Sequence, residues 1–139
     1  MTKTSQQVVN DFYFMVKGSP LASLINGKVY KYKTRPRDSK KEDAVIRFVT
    51  GRDAQVQSGT VVVNIFVPDV DHEDNGVLAP DITRCTEIEI VANTWVKSLT
   101  VDKTGEYKIS FSQTISTEEE PEIDQHFVSV RLRFRLTTF

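Results

Sequence analysis

One cysteine and two histidines are all that this chain offers for nucleophilic or transition-metal chemistry. Cys85 would need a neighbouring base, and a group to orient that base, before its thiolate could attack. It falls instead on an apolar helical stripe, where a small buried core residue is the expected role. His72 and His126 have no second histidine or cysteine at ligand spacing, whereas a zinc-type site draws on three or four converging ligands. Asp69, Asp71, Glu73 and Asp74 crowd one loop. Counted from Asp71, the loop places Glu73, Asn75 and Gly76 in a calcium-binding register, but Ile82 stands where the bidentate glutamate belongs. Counted from Asp69, Asp74 takes the place of the required glycine. A solvated loop is therefore expected. Glu118, Glu119 and Glu120 precede Pro121 and read as a charged hairpin tip that keeps an edge soluble. There is no glycine-rich phosphate loop and no nucleophile elbow. The expectation is a protein without a catalysed reaction, cofactor or metal.

The most informative pattern lies near the C-terminus. Val128, Val130, Leu132, Phe134 and Leu136 alternate with Ser129, Arg131, Arg133 and Arg135. A strand sends successive side chains to opposite faces, so one face is oily and the other carries an arginine row at steps of about 6.5–7 Å. Like charges that close call for anions, acidic neighbours or open water. Phosphates are one reading, with Lys28, Lys31 or Lys33 assisting, although no stacking aromatics are expected on the same face. Acidic side chains are another. The expected partner strand, 107–116, offers Lys108, Ser110, Ser112, Thr114 and Ser116 on its polar face and no acid. A neighbouring subunit would have to supply the acids, and the loop bearing Asp69, Asp71, Glu73 and Asp74 is the candidate. A merely solvated face is the third reading.

These residues need elements to hold them. Thr4 or Ser5 caps a helix carrying Val8, Val9, Phe12, Met15 and Val16, which stops at Gly18. Ser19-Pro20 opens a short helical turn that Asn26-Gly27 closes. Strands are expected at 28–33, 44–50 and 60–67, with a polar, exposed, mobile loop at 35–43 and a connection or extended arm at 51–59. The third strand is apolar on both faces, as if covered twice. A long helix from Pro80 carries Ile82, Cys85, Ile88, Val91, Ala92, Trp95, Val96 and Leu99 on one stripe. The strand 107–116 and the arginine strand then form a terminal hairpin. The sum is one α+β domain spanning 1–139. It has a mainly antiparallel sheet of about five strands, with the N-terminal helix and one long helix packed on one face.

Composition limits the partners. A net charge of −1 over 139 residues gives no whole-molecule attraction to nucleic acid or membrane, so any polyanion binding must be local. A lone cysteine excludes an intrachain disulfide and suits a reducing compartment. The N-terminal residues lack the apolar core of a signal peptide, and no apolar run reaches membrane-helix length.

With its segments in order, the chain resembles the tail-completion (tail terminator) and head-tail joining proteins of long-tailed bacteriophages and their prophage relatives. The likeness lies in layout. A short helix leads through Ser19-Pro20 and Asn26-Gly27 to Val29-Tyr30, and a polar loop containing Pro36 precedes the strand 44–49. A hydrophobic strand ends at Pro68, a long helix runs from Pro80 to Leu99, and a hairpin closes the chain. The acidic insertion at 69–76 and the arginine-rich last strand depart from the usual pattern. The resemblance implies a cofactor-free structural protein that assembles as a ring, often a hexamer, terminating the tail tube and docking it to the head connector. It implies assembly in the bacterial cytoplasm and a final place in a virion tail or tail-like particle. The rival expectation is a small nucleic-acid or polyanion-binding module that uses the arginine row.

Overall fold

The computed structural model describes residues 2–54, 56–101 and 106–137. Helix α1 (Ser5–Lys17) begins with a reciprocal cap. The Gln7 N–H donates to Thr4 Oγ1 at 3.4 Å, and the Thr4 N–H donates to Gln7 Oε1 at 2.8 Å. Gly18 ends it. Helix α2 (Pro20–Leu24) has Pro20 in its first turn, but Ser19 supplies no side-chain cap, because its hydroxyl turns back to the Val16 carbonyl. The strands are β1 (Val29–Lys31), β2 (Ala44–Arg52), β3 (Val56–Pro68), β4 (Tyr107–Phe111), β5 (Ser116–Glu120) and β6 (Gln125–Thr137); helix α3 (Ile82–Val101) follows β3. Sheet order is β1-β2-β3-β6-β4, with β5 pairing the other stretch of the same β6 edge. Every pairing is antiparallel except β1 with β2.

Both long helices lie on one face of the sheet. Val8, Phe12 and Val16 of α1 and Ile88, Ala92, Trp95 and Val96 of α3 form one core with Ala44, Ile46, Val61, Val63, Ile65, Val130, Leu132 and Phe134. Burying each such side chain contributes roughly 1.5–3 kcal/mol, so this oily face fixes the register of every strand. Two expectations of α3 and β3 need correction. Ile82 is 67 % exposed and stands at the very start of α3, ahead of the buried stripe that opens with Cys85. Among the described residues no helix covers the second face of β3. Val62 is shielded there in register between Arg47 and Arg131.

The expected hairpin strand 107–116 is two strands. β4 ends at Phe111 and the chain rejoins β6 at Ser116, so Glu118, Glu119 and Glu120 pair with Phe127, His126 and Gln125. The glutamate triplet is thus a strand edge and not a hairpin tip. The turn is made by a 3-10 segment, Pro121–Ile123, and by Asp124 in the left-handed conformation (φ 52°). The connection expected at 51–59 is largely strand, because β2 and β3 extend to Arg52 and from Val56; Gln55 lies outside the described residues. Gly59 is required there, since a Cβ would stand 2.7 Å from the Phe134 ring and 2.4 Å from the Thr50 carbonyl oxygen.

Candidate interaction surfaces

Parallel β1 and β2 need a crossover, and residues 32–43 supply it without a helix. The crossover lies over one end of the face that the helices leave open. Arg35 anchors it: Nε donates to Asp43 Oδ2 at 2.9 Å, while Nη2 donates to Gln125 Oε1 at 3.0 Å and to the Lys41 carbonyl at 3.1 Å. Its guanidinium also stacks on Phe66 at 4.3 Å. Asp43, 1 % exposed, further accepts from the Lys28 N–H and the Ser39 hydroxyl, and Gln125 Nε2 donates to the Ser39 carbonyl. Burial alone would raise the Asp43 carboxyl. The bonds from Ser39, Lys28 and Arg35 outweigh it and hold the group below its ordinary value. The loop expected to be mobile is therefore fastened to the sheet. Gly27 allows this closeness, since a Cβ there would meet Asp43 Oδ1 at 2.1 Å and the Glu42 carbonyl oxygen at 2.2 Å. Next to it, Arg84 grips Glu42 with two bonds (2.6 and 2.7 Å) and donates to the Leu24 carbonyl, which ties α3 to α2.

No crossover segment lies over the other end of the open face among the described residues. Across four strands the register sets Arg52, Ser58, Arg135 and Lys108 in one row. Thr50, Thr60, Arg133 and Ser110 form the next row, and Arg47, Val62 and Arg131 the third. Thr50, Arg52, Ser58, Thr60, Ser110, Arg133 and Arg135 line a shallow basin of about 550 Å³, with Gly51 and Gly59 in its floor. Among the described residues it contains no carboxylate. Among the described residues, Arg52, Arg131, Arg133 and Arg135 have no ion-pair partner. Arg47 stacks on Tyr32 at 4.8 Å.

The row and the acidic loop lie at different ends of β6. Asp69 sits at the start of that strand, with Oδ1 2.7 Å from His126 Nδ1 and its N–H on the Asp124 carbonyl. Arg131 to Arg135 lie five to nine residues further along, about 17–30 Å away. Asp71 is half-buried, and its carboxyl is held below its ordinary value by the Asn75 and Gly76 N–H groups it accepts from. Glu73 and Asp74 are exposed in the same loop. The loop thus adjoins the β5–β6 turn, and together with Glu118, Glu119, Glu120, Glu122 and Asp124 it makes one acidic corner.

The opposite sheet edge is basic. A single register line runs from Val29 through Ala44, Ile65 and Val128 to Thr117, so β1 and β5 stand at the same height on opposite edges and run in opposite directions. Around β1 are Lys28, Lys31 and Lys33, with Arg37, Lys40 and Lys41 in the crossover. Lys31 donates to Asn10 and lies over Tyr13, and Lys17 lies over the same ring. Among the described residues no carboxylate pairs with Lys28 or Lys33, and no base pairs with Glu118, Glu119 or Glu120. Sequence reasoning singled out the arginines and the loop but missed this pairing of edges. The residue types were visible; only the strand order brings them to opposite flanks.

Cys85 is buried on α3 as expected, and burial, with Asp81 and Glu89 nearby, pushes its thiol up to about 11. Such a thiol is a poor nucleophile near neutrality. Among the described residues no helix is long and apolar enough to cross a membrane. Neither the known protein-family models nor the curated proteins give a match to this chain.

Proposed function

We propose that this protein is a non-enzymatic assembly protein of the tail-completion type. In this reading copies close head to tail into a ring that ends a phage or prophage tail tube and docks it to the head connector. One observation carries it: the sheet's opposite edges lie on one register line, run antiparallel, and carry unpaired charges of opposite sign. A heterologous interface needs two different, complementary flanks on one domain, and such an interface closes into a ring when the rotation allows. Laying β5 of one copy against β1 of the next at that level would extend the sheet between subunits and set Glu118 opposite Lys28, with the rest of the acidic flank facing the rest of the basic one.

Light scattering across protein concentration, combined with electron microscopy, tests it. Rings of uniform size are expected. A double variant, Glu118→Lys with Glu120→Lys, should be monomeric, as should Lys28→Glu with Lys33→Glu. The first has two basic flanks and the second two acidic ones, so mixing them should restore assembly through alternating copies. A wild-type protein that stays strictly monomeric at high concentration, or variants that assemble as well as wild type, would overturn the reading.

A further inference from the structure

The edge contact leaves the arginine basin free, and its chemistry is specific. We infer that this end of the open face is a binding surface for the phosphodiester backbone of a nucleic acid, engaged without reading its sequence. This inference does not depend on ring formation.

Three features point to that ligand. First, Arg52, Arg131, Arg133, Arg135 and Lys108 come from three of four adjacent strands, with no carboxylate between them among the described residues. Rows about 6.5–7 Å apart, on strands about 4.8 Å apart, present a lattice of cations rather than a single pocket. A polymer of repeated negative charge matches a lattice; one small anion would leave most of it unneutralised. Second, the groups between the cations are the hydroxyls of Thr50, Ser58, Thr60 and Ser110. Guanidinium groups bind phosphate oxygens bidentately, and small hydroxyls complete such contacts without distinguishing bases. Third, the basin wall carries no large apolar side chain. A protein partner takes most of its binding energy from aromatic or aliphatic anchors seated in pockets, and nothing here would hold one. Phe66 and Phe127 do share the open face, 5.5 Å apart. They lie at its other end, with Arg35 stacked on Phe66, so contact along the basin is with the backbone and not by base stacking. The face needs no net positive charge on the whole chain, because its own cations are unpaired.

Fluorescence anisotropy with labelled single-stranded and double-stranded oligonucleotides of mixed sequence tests this, with a polyglutamate peptide as competitor. Binding is expected at 50 mM salt, with little sequence preference. If about four phosphates are neutralised, affinity should fall roughly fiftyfold for the single strand and roughly 150-fold for the duplex between 50 and 200 mM salt. Arg133→Glu with Arg135→Glu should lower affinity at least tenfold, and Arg133→Gln with Arg135→Gln should lower it less while changing no fold contact. Lys28→Glu with Lys33→Glu, on the sheet edge, should leave the affinity of the isolated copy nearly unchanged. The inference fails if wild type binds neither oligonucleotide at 50 mM salt, or if the arginine variants bind as well as wild type. It also fails if polyglutamate is bound more tightly than the oligonucleotides, which would assign the face to an acidic protein.

Discussion

The two ends of the open sheet face use arginine in opposite ways. At one end Arg35 is nearly buried, with Nε on Asp43, Nη2 on Gln125 and the crossover backbone, and its flat side laid on Phe66. At the other, Arg133 and Arg135 stand exposed, beside hydroxyls and further cations. An arginine whose partners all come from its own chain belongs to the fold. An exposed row without internal partners contributes nothing to folding and costs some self-repulsion.

The comparison breaks most visibly under truncation of the fold-making arginine. Arg35→Ala leaves the Asp43 carboxylate buried and short of its cation, which should cost about 3–5 kcal/mol in a urea denaturation series. A loss below about 1 kcal/mol would mean that the crossover is not held as described.

Acid should expose the same network more gently. The Asp43 carboxyl is depressed in the folded protein, so its contribution is fully present above its ordinary value of 3.8 and is lost as pH falls through the lower folded value. The stability gap between wild type and Asp43→Asn should therefore narrow as pH drops below 3.8, and stay constant between pH 5 and 7. A gap that widened in acid would contradict the depressed carboxyl.

The smallest effect should come from the other end. Arg133→Gln with Arg135→Gln is expected to change stability by no more than about 0.5 kcal/mol, with a slight gain at low salt as repulsion is relieved. A loss of several kcal/mol would show that these arginines serve the fold after all.

Much of the layout was legible because it rests on local rules. The Thr4 cap, the Gly18 stop, Pro20 in the first turn of α2 and the apolar stripe of α3 each follow from a few neighbouring residues. The alternation in β6 announced its own two faces, since a period of two admits one core face. What misled was chemistry whose partner lies far along the chain. The polar segment 35–43 reads as a free loop, and nothing nearby reveals that Arg35 will meet Gln125 ninety positions later. The glutamates before Pro121 read as a tip because proline punctuates, yet β6 is long enough to pair with β4 and β5 in succession.

By itself, then, the sequence determined the helices, the two faces of β6 and the existence of an arginine row. Those depend on spacing within a dozen residues. Only the tertiary structure decided which edge faces which, that Arg35 is consumed while Arg133 and Arg135 are not, and that Arg52 and Lys108 join them. The reason is physical: a charge is satisfied by whatever stands within a few ångströms, and strand order, not sequence distance, sets that neighbourhood.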